Sequence, residues 1–378
     1  MRAIEIYFNS FSQNSYRSNR KTMITVALTN RNRDLCIIKR CLDSLHKQNT
    51  DRFICFLVDY GSDLHYLREL QVLLLQFPKI KFISYPVSGQ LWNKSRAINL
   101  ALQKATSEYF LVGDIDLIFS PNFIQKCYDL MTCDEVHYFQ YGFLSQTESL
   151  LNKEFKDYKV DFKGNDEVTG TTIFPTNALK ELNGYDEFYH GWGAEDTDIH
   201  IRVKNAGLKV LFYDQEILIK HQWHPKIYRS KESQHPFQSQ LERINHDYMH
   251  QTLQSKRMVV SHKLGFGKEP ILSEYEKLDQ KADFNFDINN SQIALEAILA
   301  QMANFSFKTV QITITKASFY VLLKSKTKQL LGKKYVPYLS MESVNNSVLL
   351  EIIKIYRNNP YRYTFDRQKN IVTLMIRL

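Results

Sequence analysis

Glycine and proline are scarce in this chain: 13 and 9 of 378 residues, beside 44% hydrophobic and 24% charged residues. That balance excludes a disordered, collagen-like or low-complexity protein. Cysteine is scarce too. Cys36, Cys41, Cys55, Cys127 and Cys133 are an odd set with no Cys-x-x-Cys pair, so they read as small core residues in a reducing compartment. No apolar run approaches the ~18 residues of a membrane span. The opening MRAIEIYFNSFSQ is broken by Glu5 and is too short and polar for a signal-peptide core. A soluble, cytoplasmic protein is expected, long enough to bury a large core without metal or disulfide.

Acidic residues are missing from one part of the chain in particular. Residues 251–378 hold 19 Lys and Arg against 10 Asp and Glu, while the first 250 balance at 30 of each, so the net charge of +9 belongs to the C-terminal third. A boundary near residues 255–270 follows. The basic third suggests an anionic partner, whether membrane surface, nucleic acid or acidic glycan; the plainer alternative is a solvated face that keeps the chain soluble.

The body reads as alternating strands and helices. MITVALTN (23–30) is a buried strand, and Asp34 caps a helix with Leu35, Ile38, Leu42 and Leu45 on one face. A strand at 53–59, a helix at 64–77, a strand at 79–85, a helix at 93–105 and a strand at 109–113 follow. Such alternation predicts an α/β fold with a parallel sheet, whose ligands bind beyond the carboxyl ends of the strands. Thr29, Asp59, Asp114 and Asp116 stand at such ends. An acidic, turn-rich stretch (145–167), a strand-like VTGTTIFP (168–175) and a helix after Gly191-Trp192-Gly193 complete the body. The last 110 or so residues read as a small α+β unit ending in a hairpin, with a Lys-rich segment inside it. The expected organisation is an arm over 1–22, a main domain over 23–260 and the basic unit over 265–378.

Three groups of residues have chemistry open to them. In extended backbone the carboxylates of Asp114 and Asp116 face one point and offer hard oxygen ligands for Mg²⁺ or Mn²⁺, although a lone Asp-x-Asp is more often a solvated turn. His221 and His224 sit before Pro225 in what reads as a loop. On spacing alone two unrelated surface histidines outrank a ligand pair, but one imidazole with Asp116 makes a mixed site suited to Mn²⁺. Glu195, Asp196 and Asp198 open a helix, where acidic residues ordinarily cap N–H groups and favour the macrodipole. The exposed-aromatic loop before them suits sugar binding, and a carboxylate there can act as general base.

The order of motifs resembles the family 2-type inverting glycosyltransferases of the GT-A fold, its second half being closest to the β4-galactosyltransferase and chondroitin-polymerase branch. The matching residues are Thr29–Arg33, Val58–Ser62, Asn93–Asn99, Gly113–Asp116, Gly184–Glu187, Gly191–Asp198 and His221. The resemblance implies a Rossmann-like, mostly parallel sheet, a UDP-sugar donor, Mn²⁺ (or Mg²⁺), and a glycan or lipid-linked oligosaccharide acceptor. It implies that Thr29, Arg33 and Asp59 hold uracil and ribose, with Arg96 near the nucleotide-sugar. Asp114 would face ribose or sugar, and Asp116 would bind the metal with His221, or with His224. Trp192 would stack on a sugar, Glu195 would bind acceptor hydroxyls, and Asp196 would be the base. Thr169-Gly170 stands where the branch often has Gly-Gly, and no Gln-x-x-Arg-Trp of processive synthases is present. The competing readings are a non-catalytic nucleotide-sugar or glycan binder on the same scaffold, and a nucleic-acid binder acting through the basic third, for which no motif is present. The basic unit is expected to bring the enzyme to an anionic membrane or acidic acceptor.

Overall fold

The computed structural model describes residues 23–225, 235–237, 239–260 and 265–378. The expected arm over 1–22 lies outside the described residues. Strands β1 (Ile24–Asn30), β2 (Phe53–Tyr60), β3 (Ile80–Tyr85) and β4 (Tyr109–Asp114) alternate with helices α1 (Leu35–His46), α2 (Leu64–Leu74) and α3 (Lys94–Lys104). Local chemistry sets the helix starts. The Asp34 carboxylate accepts from the Cys36 and Ile37 amides, and the Asn93 side chain accepts from the Arg96 amide at the head of α3. Alternation along β1 then divides the core. Ile24, Val26 and Leu28 pack with Ile38, Leu42 and Leu45 of α1, whereas Ala27 faces Ile98 and Leu102 of α3 on the other side of the sheet.

Next come β5 (Leu117–Phe119), α4 (Phe123–Leu130), β6 (Glu135–Phe139), β7 (Tyr141–Leu144), β8 (Val160–Lys163), β9 (Thr172–Pro175), α5 (Thr176–Glu181), α6 (Glu195–Asn205), β10 (Lys209–Tyr213) and β11 (Ile219–His221). The main sheet has seven strands in the order β10-β6-β9-β4-β1-β2-β3, with β9 antiparallel to both its neighbours. A second sheet, β5-β11-β7-β8, is built from chain that continues β4, β6 and β10. Of the strand read over 168–175, only the second half pairs. Continuous extended backbone through Asp114-Ile115-Asp116 also does not form. Ile115 and Asp116 make a turn between β4 and β5, so the two carboxylates are sent to different partners.

The helix α7 (Ser239–Ser255) precedes the C-terminal elements β12 (Phe284–Asn289), α8 (Gln292–Gln301), β13 (Thr309–Thr315), α9 (Phe319–Leu330), α10 (Met341–Glu351), β14 (Tyr361–Asp366) and β15 (Ile371–Arg377). These strands form a sheet in the order β12-β13-β15-β14. Val310, Ile312, Ile314, Val372, Leu374 and Ile376 point from it into a core closed by α8 and α10. That core is shared with the main body, because Leu91 and Phe237 belong to it. The edge strand β14 meets the loop before α3. The Tyr363 amide donates to the Gly89 carbonyl (3.0 Å), the Tyr361 hydroxyl accepts from the Leu91 amide (3.0 Å), and Gln90 donates to the Asn359 carbonyl (2.9 Å). The basic unit therefore braces the loop that leads into the site.

Candidate active site

The parallel register sets Thr29 beside Asp114 and Asn30 beside Asp59 at the carboxyl ends of β1, β4 and β2. Thr29 is buried in this edge. Asp59 is fully buried and committed to its surroundings: it accepts from Asn30 Nδ2 (2.7 Å), the Ser62 hydroxyl (2.6 Å) and the Ser62 amide (3.1 Å). Burial pushes its carboxyl above the ordinary range, against those hydrogen bonds and Arg31. Arg33 reaches across to place Nη2 3.1 Å from Asp116 Oδ2.

Asp116 is the centre of the first cluster. His221 Nε2 lies 3.6 Å from one carboxylate oxygen and His224 Nε2 3.1 Å from the other. Ligand atoms of all three residues fall within 4.8 Å of one another. His221 ends β11 and His224 follows in irregular chain, so the pair converges through a loop and not through helical spacing. Burial would raise the Asp116 carboxyl, but His221, His224 and Arg33 outweigh it and hold the group well below the carboxylate range. Burial lowers the His221 imidazole against the pull of Asp116, which eases loss of the proton a metal would displace. Asp116 Oδ1 is buried with no hydrogen-bond donor among the described residues. An anionic oxygen and two imidazoles left in this state fit a divalent cation that accepts mixed oxygen and nitrogen ligands, such as Mn²⁺.

The second cluster surrounds Lys94, a residue that sequence reasoning passed over in favour of Arg96. Its ammonium lies 2.9 Å from Asp114 Oδ1, 3.0 Å from Asp196 Oδ2 and 3.6 Å from Glu195 Oε1. A signal for it did exist. Lys94 is the first residue of α3, where the helix dipole disfavours a cation, so a lysine there calls for carboxylates from elsewhere. Burial alone would lower Lys94, yet the three carboxylates reverse this and hold it firmly protonated. One ammonium cannot balance three carboxylates. Burial, with Glu195 and Asp114 alongside, accordingly raises Asp196 well above the ordinary range despite Lys94. Asp196 Oδ1 is buried without a donor among the described residues.

Neither Glu195 nor Asp196 caps α6. The residue before them, Ala194, sits in left-handed backbone (φ 74°) with no side-chain cap bond. Gly191 (φ 72°) and Gly193 (φ 94°) share that conformation, so the Gly-Trp-Gly-Ala loop is wound tightly and leaves Trp192 44% exposed at its tip. Helix α7 backs the loop, with Asn245 donating to the His190 carbonyl (3.0 Å). Asp198 serves structure: it pairs with the fully buried Arg202 (2.7 Å) and accepts from Tyr189 (2.9 Å). Close packing is required at Gly170, where a Cβ would stand 2.8 Å from Asp114 Oδ2 and 2.9 Å from the Tyr141 hydroxyl.

The Asn-Lys-Ser-Arg-Ala-Ile-Asn motif is mostly a clamp. Asn93 donates to the Glu187 carbonyl (2.8 Å), while Asn99 donates to the Tyr185 carbonyl (2.8 Å) and Glu187 Oε1 (3.0 Å). These bonds lock α3 to Gly184–Glu187 and so fix Lys94 opposite Asp196. Arg96 is not brought to the site. It is 1% exposed and donates to the carbonyls of Arg357 (3.0 Å) and Lys268 (2.9 Å).

Residues 25–176 match the family described as Glycosyl transferase family 2, and residues 150–225 match the one described as the N-terminal domain of galactosyltransferase. The two matches overlap across the stretch that contains Gly170. Across residues 25–225 the chain is thus similar to family 2 glycosyltransferases and to galactosyltransferases. Over 193 residues the chain is 27% identical to mouse chondroitin sulfate synthase 3, covering 47% of this chain and 21% of that protein. Over 133 residues it is 22% identical to human beta-1,4-galactosyltransferase 4, covering 34% of each. The chain thus spans 18% to 34% of the length of curated relatives such as these. It also overlays S. aureus TarS 1–349 with a TM-score of 0.41 at 18% identity, over 53% of this chain and 60% of that one.

Proposed function

We propose that this glycosyltransferase moves a hexose or hexosamine from a UDP-sugar to a hydroxyl of a glycan or lipid-linked acceptor, with a divalent metal and with inversion at the anomeric carbon. The supporting observation is the pairing of two clusters at one sheet edge: Asp116 with His221 and His224, and Lys94 with Asp114, Glu195 and Asp196. Mn²⁺ or Mg²⁺ held by Asp116 and His221, with His224 as a further ligand, would neutralise charge on the leaving diphosphate. Thr29, Arg33 and Asp59 serve the nucleotide end, and Asp114 the sugar or ribose. Trp192 offers its exposed face to a sugar ring, and Glu195 orients acceptor hydroxyls. Asp196 accepts the acceptor proton as the acceptor oxygen bonds to the anomeric carbon from the face opposite the breaking carbon–diphosphate bond; UDP departs. Arg96 has no place in this scheme. All five cysteines are free, which fits a cytoplasmic setting. Among the described residues no helix is long and apolar enough to cross a membrane.

Calorimetric titration with UDP, with and without Mn²⁺, tests the reading. Binding is expected only with Mn²⁺ and is expected to vanish in Asp116→Ala; binding indifferent to metal and to this substitution would overturn the metal assignment. Gly170→Ala provides a check on the donor pocket. The added methyl crowds Asp114 and Tyr141, so the donor KM is expected to rise about tenfold with the fold unchanged by circular dichroism.

A further inference from the structure

Helix α9 is unlike the other long helices of the chain in burying no residue at all. Phe319 and Leu330 are each 79% exposed, with Tyr320, Leu323 and Leu331 also in the open. At 100° per residue Phe319, Leu323 and Leu330 fall on one stripe, with Tyr320 and Leu331 beside it. Lys324 and Lys328 border the stripe on one side and Lys326 on the other. The half-buried Val321, Leu322 and Ser325 lie on the opposite side of the helix, where the Ser325 hydroxyl donates to the Val336 carbonyl.

The charge around this stripe has one sign. Between Glu296 and Glu342 the chain has no acidic residue and seven lysines: Lys308, Lys316, Lys324, Lys326, Lys328, Lys333 and Lys334. Lys308 has Asp283 within 3.9 Å, and among the described residues no ion pair involves the other six. We propose that α9 and its lysine flanks form a docking surface for an anionic lipid bilayer, with the Phe319–Leu323–Leu330 stripe set into the headgroup region and the lysines against lipid phosphate. Lysine stems lie along apolar surface while their ammonium groups reach outward to charge, which is the arrangement such a stripe needs. A second copy of the chain is disfavoured, since a two-fold contact would set these lysines against their own copies. A soluble polyanion leaves the apolar stripe unused. The inference deepens the reading of a lipid-linked acceptor, but vesicle binding is measured without donor or acceptor, so its failure leaves the transfer chemistry standing.

The test is flotation of the full chain with vesicles of phosphatidylcholine, alone or with about a third phosphatidylglycerol. Binding is expected only to the anionic vesicles and is expected to fall steeply between about 0.1 M and about 0.5 M salt. Replacing Lys324, Lys326 and Lys328 together by Gln is expected to weaken it roughly 100-fold. Phe319→Ser with Leu323→Ser is expected to weaken it at least about tenfold, and Phe319→Trp to add a blue-shifted emission when anionic vesicles are present. These positions are exposed, so the variants are expected to keep the wild-type circular dichroism and thermal midpoint. Absent binding, equal binding to neutral vesicles, or binding that survives the Lys→Gln changes would overturn the proposal. So would light scattering showing a dimer that the Phe319 and Leu323 changes dissolve, because the stripe would then be a contact between copies.

Discussion

Asp196→Asn is expected to lower kcat by roughly 10²–10⁴-fold while leaving metal-dependent UDP binding within about twofold of wild type. The amide keeps the volume of the carboxylate and can still meet Lys94, 3.0 Å away, but it cannot take a proton from an acceptor. The pH profile makes the test sharper. Burial, Glu195 and Asp114 raise the Asp196 carboxyl despite the opposing ammonium, which brings the base nearer to working pH and strengthens it. Below that raised value Asp196 holds its proton, so kcat/KM is expected to fall on the acid side by about tenfold per pH unit. The residual activity of Asp196→Asn is expected to lack this limb. An unchanged limb in the variant would move the base to another residue.

Much of this arrangement was legible because it is local. The β1 run, the Asp34 cap and the alternation through β4 depend on neighbouring residues, so periodicity and capping were enough to place Thr29, Asp59 and Asp114 at one edge. The second sheet was not legible, since β5, β7 and β11 are short and become strands only by pairing across long stretches of chain. The turn at Ile115–Asp116 has the same origin: β5 pairs with β11, and the Asp116 carbonyl accepts from the Gln222 amide (2.9 Å). That pairing draws Asp116 toward the histidines and away from the carboxylate cluster. The helix α7 carries a mixed polar face that gave no sign of backing the Trp192 loop. At the site itself, the motif reading chose Arg96 from the Asn93–Asn99 segment, whereas the fold turns Lys94 to the carboxylates and Arg96 to the C-terminal unit. Two residues along α3 separate a side chain aimed at the cleft from one aimed at the C-terminal unit.

Arg96 and Lys94 are therefore expected to fail in different ways. Arg96→Met leaves the Arg357 and Lys268 carbonyls without these donors, a loss of about 2–6 kcal/mol at ~1–3 for each unsatisfied group. Both of these partners are neutral carbonyls that do not titrate, so this deficit is expected to vary far less with pH than that of Lys94→Met, and UDP affinity measured below the thermal midpoint is expected to stay near wild type. Lys94→Met instead removes the counter-charge of Asp114, Glu195 and Asp196. The folded-state pKa of Asp196, already raised, then rises further above the unfolded one, so the folded state binds more protons there than the unfolded state. Stability contributed by such groups is present below the unfolded carboxylate range and is lost as pH rises through the folded values. The Lys94→Met deficit is accordingly expected to grow from about pH 4 toward pH 8, with transfer reduced at least about 100-fold at neutral pH. Denaturation midpoints of the two variants across this range, read beside their UDP affinities, separate a residue that holds the two halves of the chain together from one that holds the reacting carboxylates in place. A more strongly pH-dependent deficit in Arg96→Met, or a flat one in Lys94→Met, would reverse the two assignments.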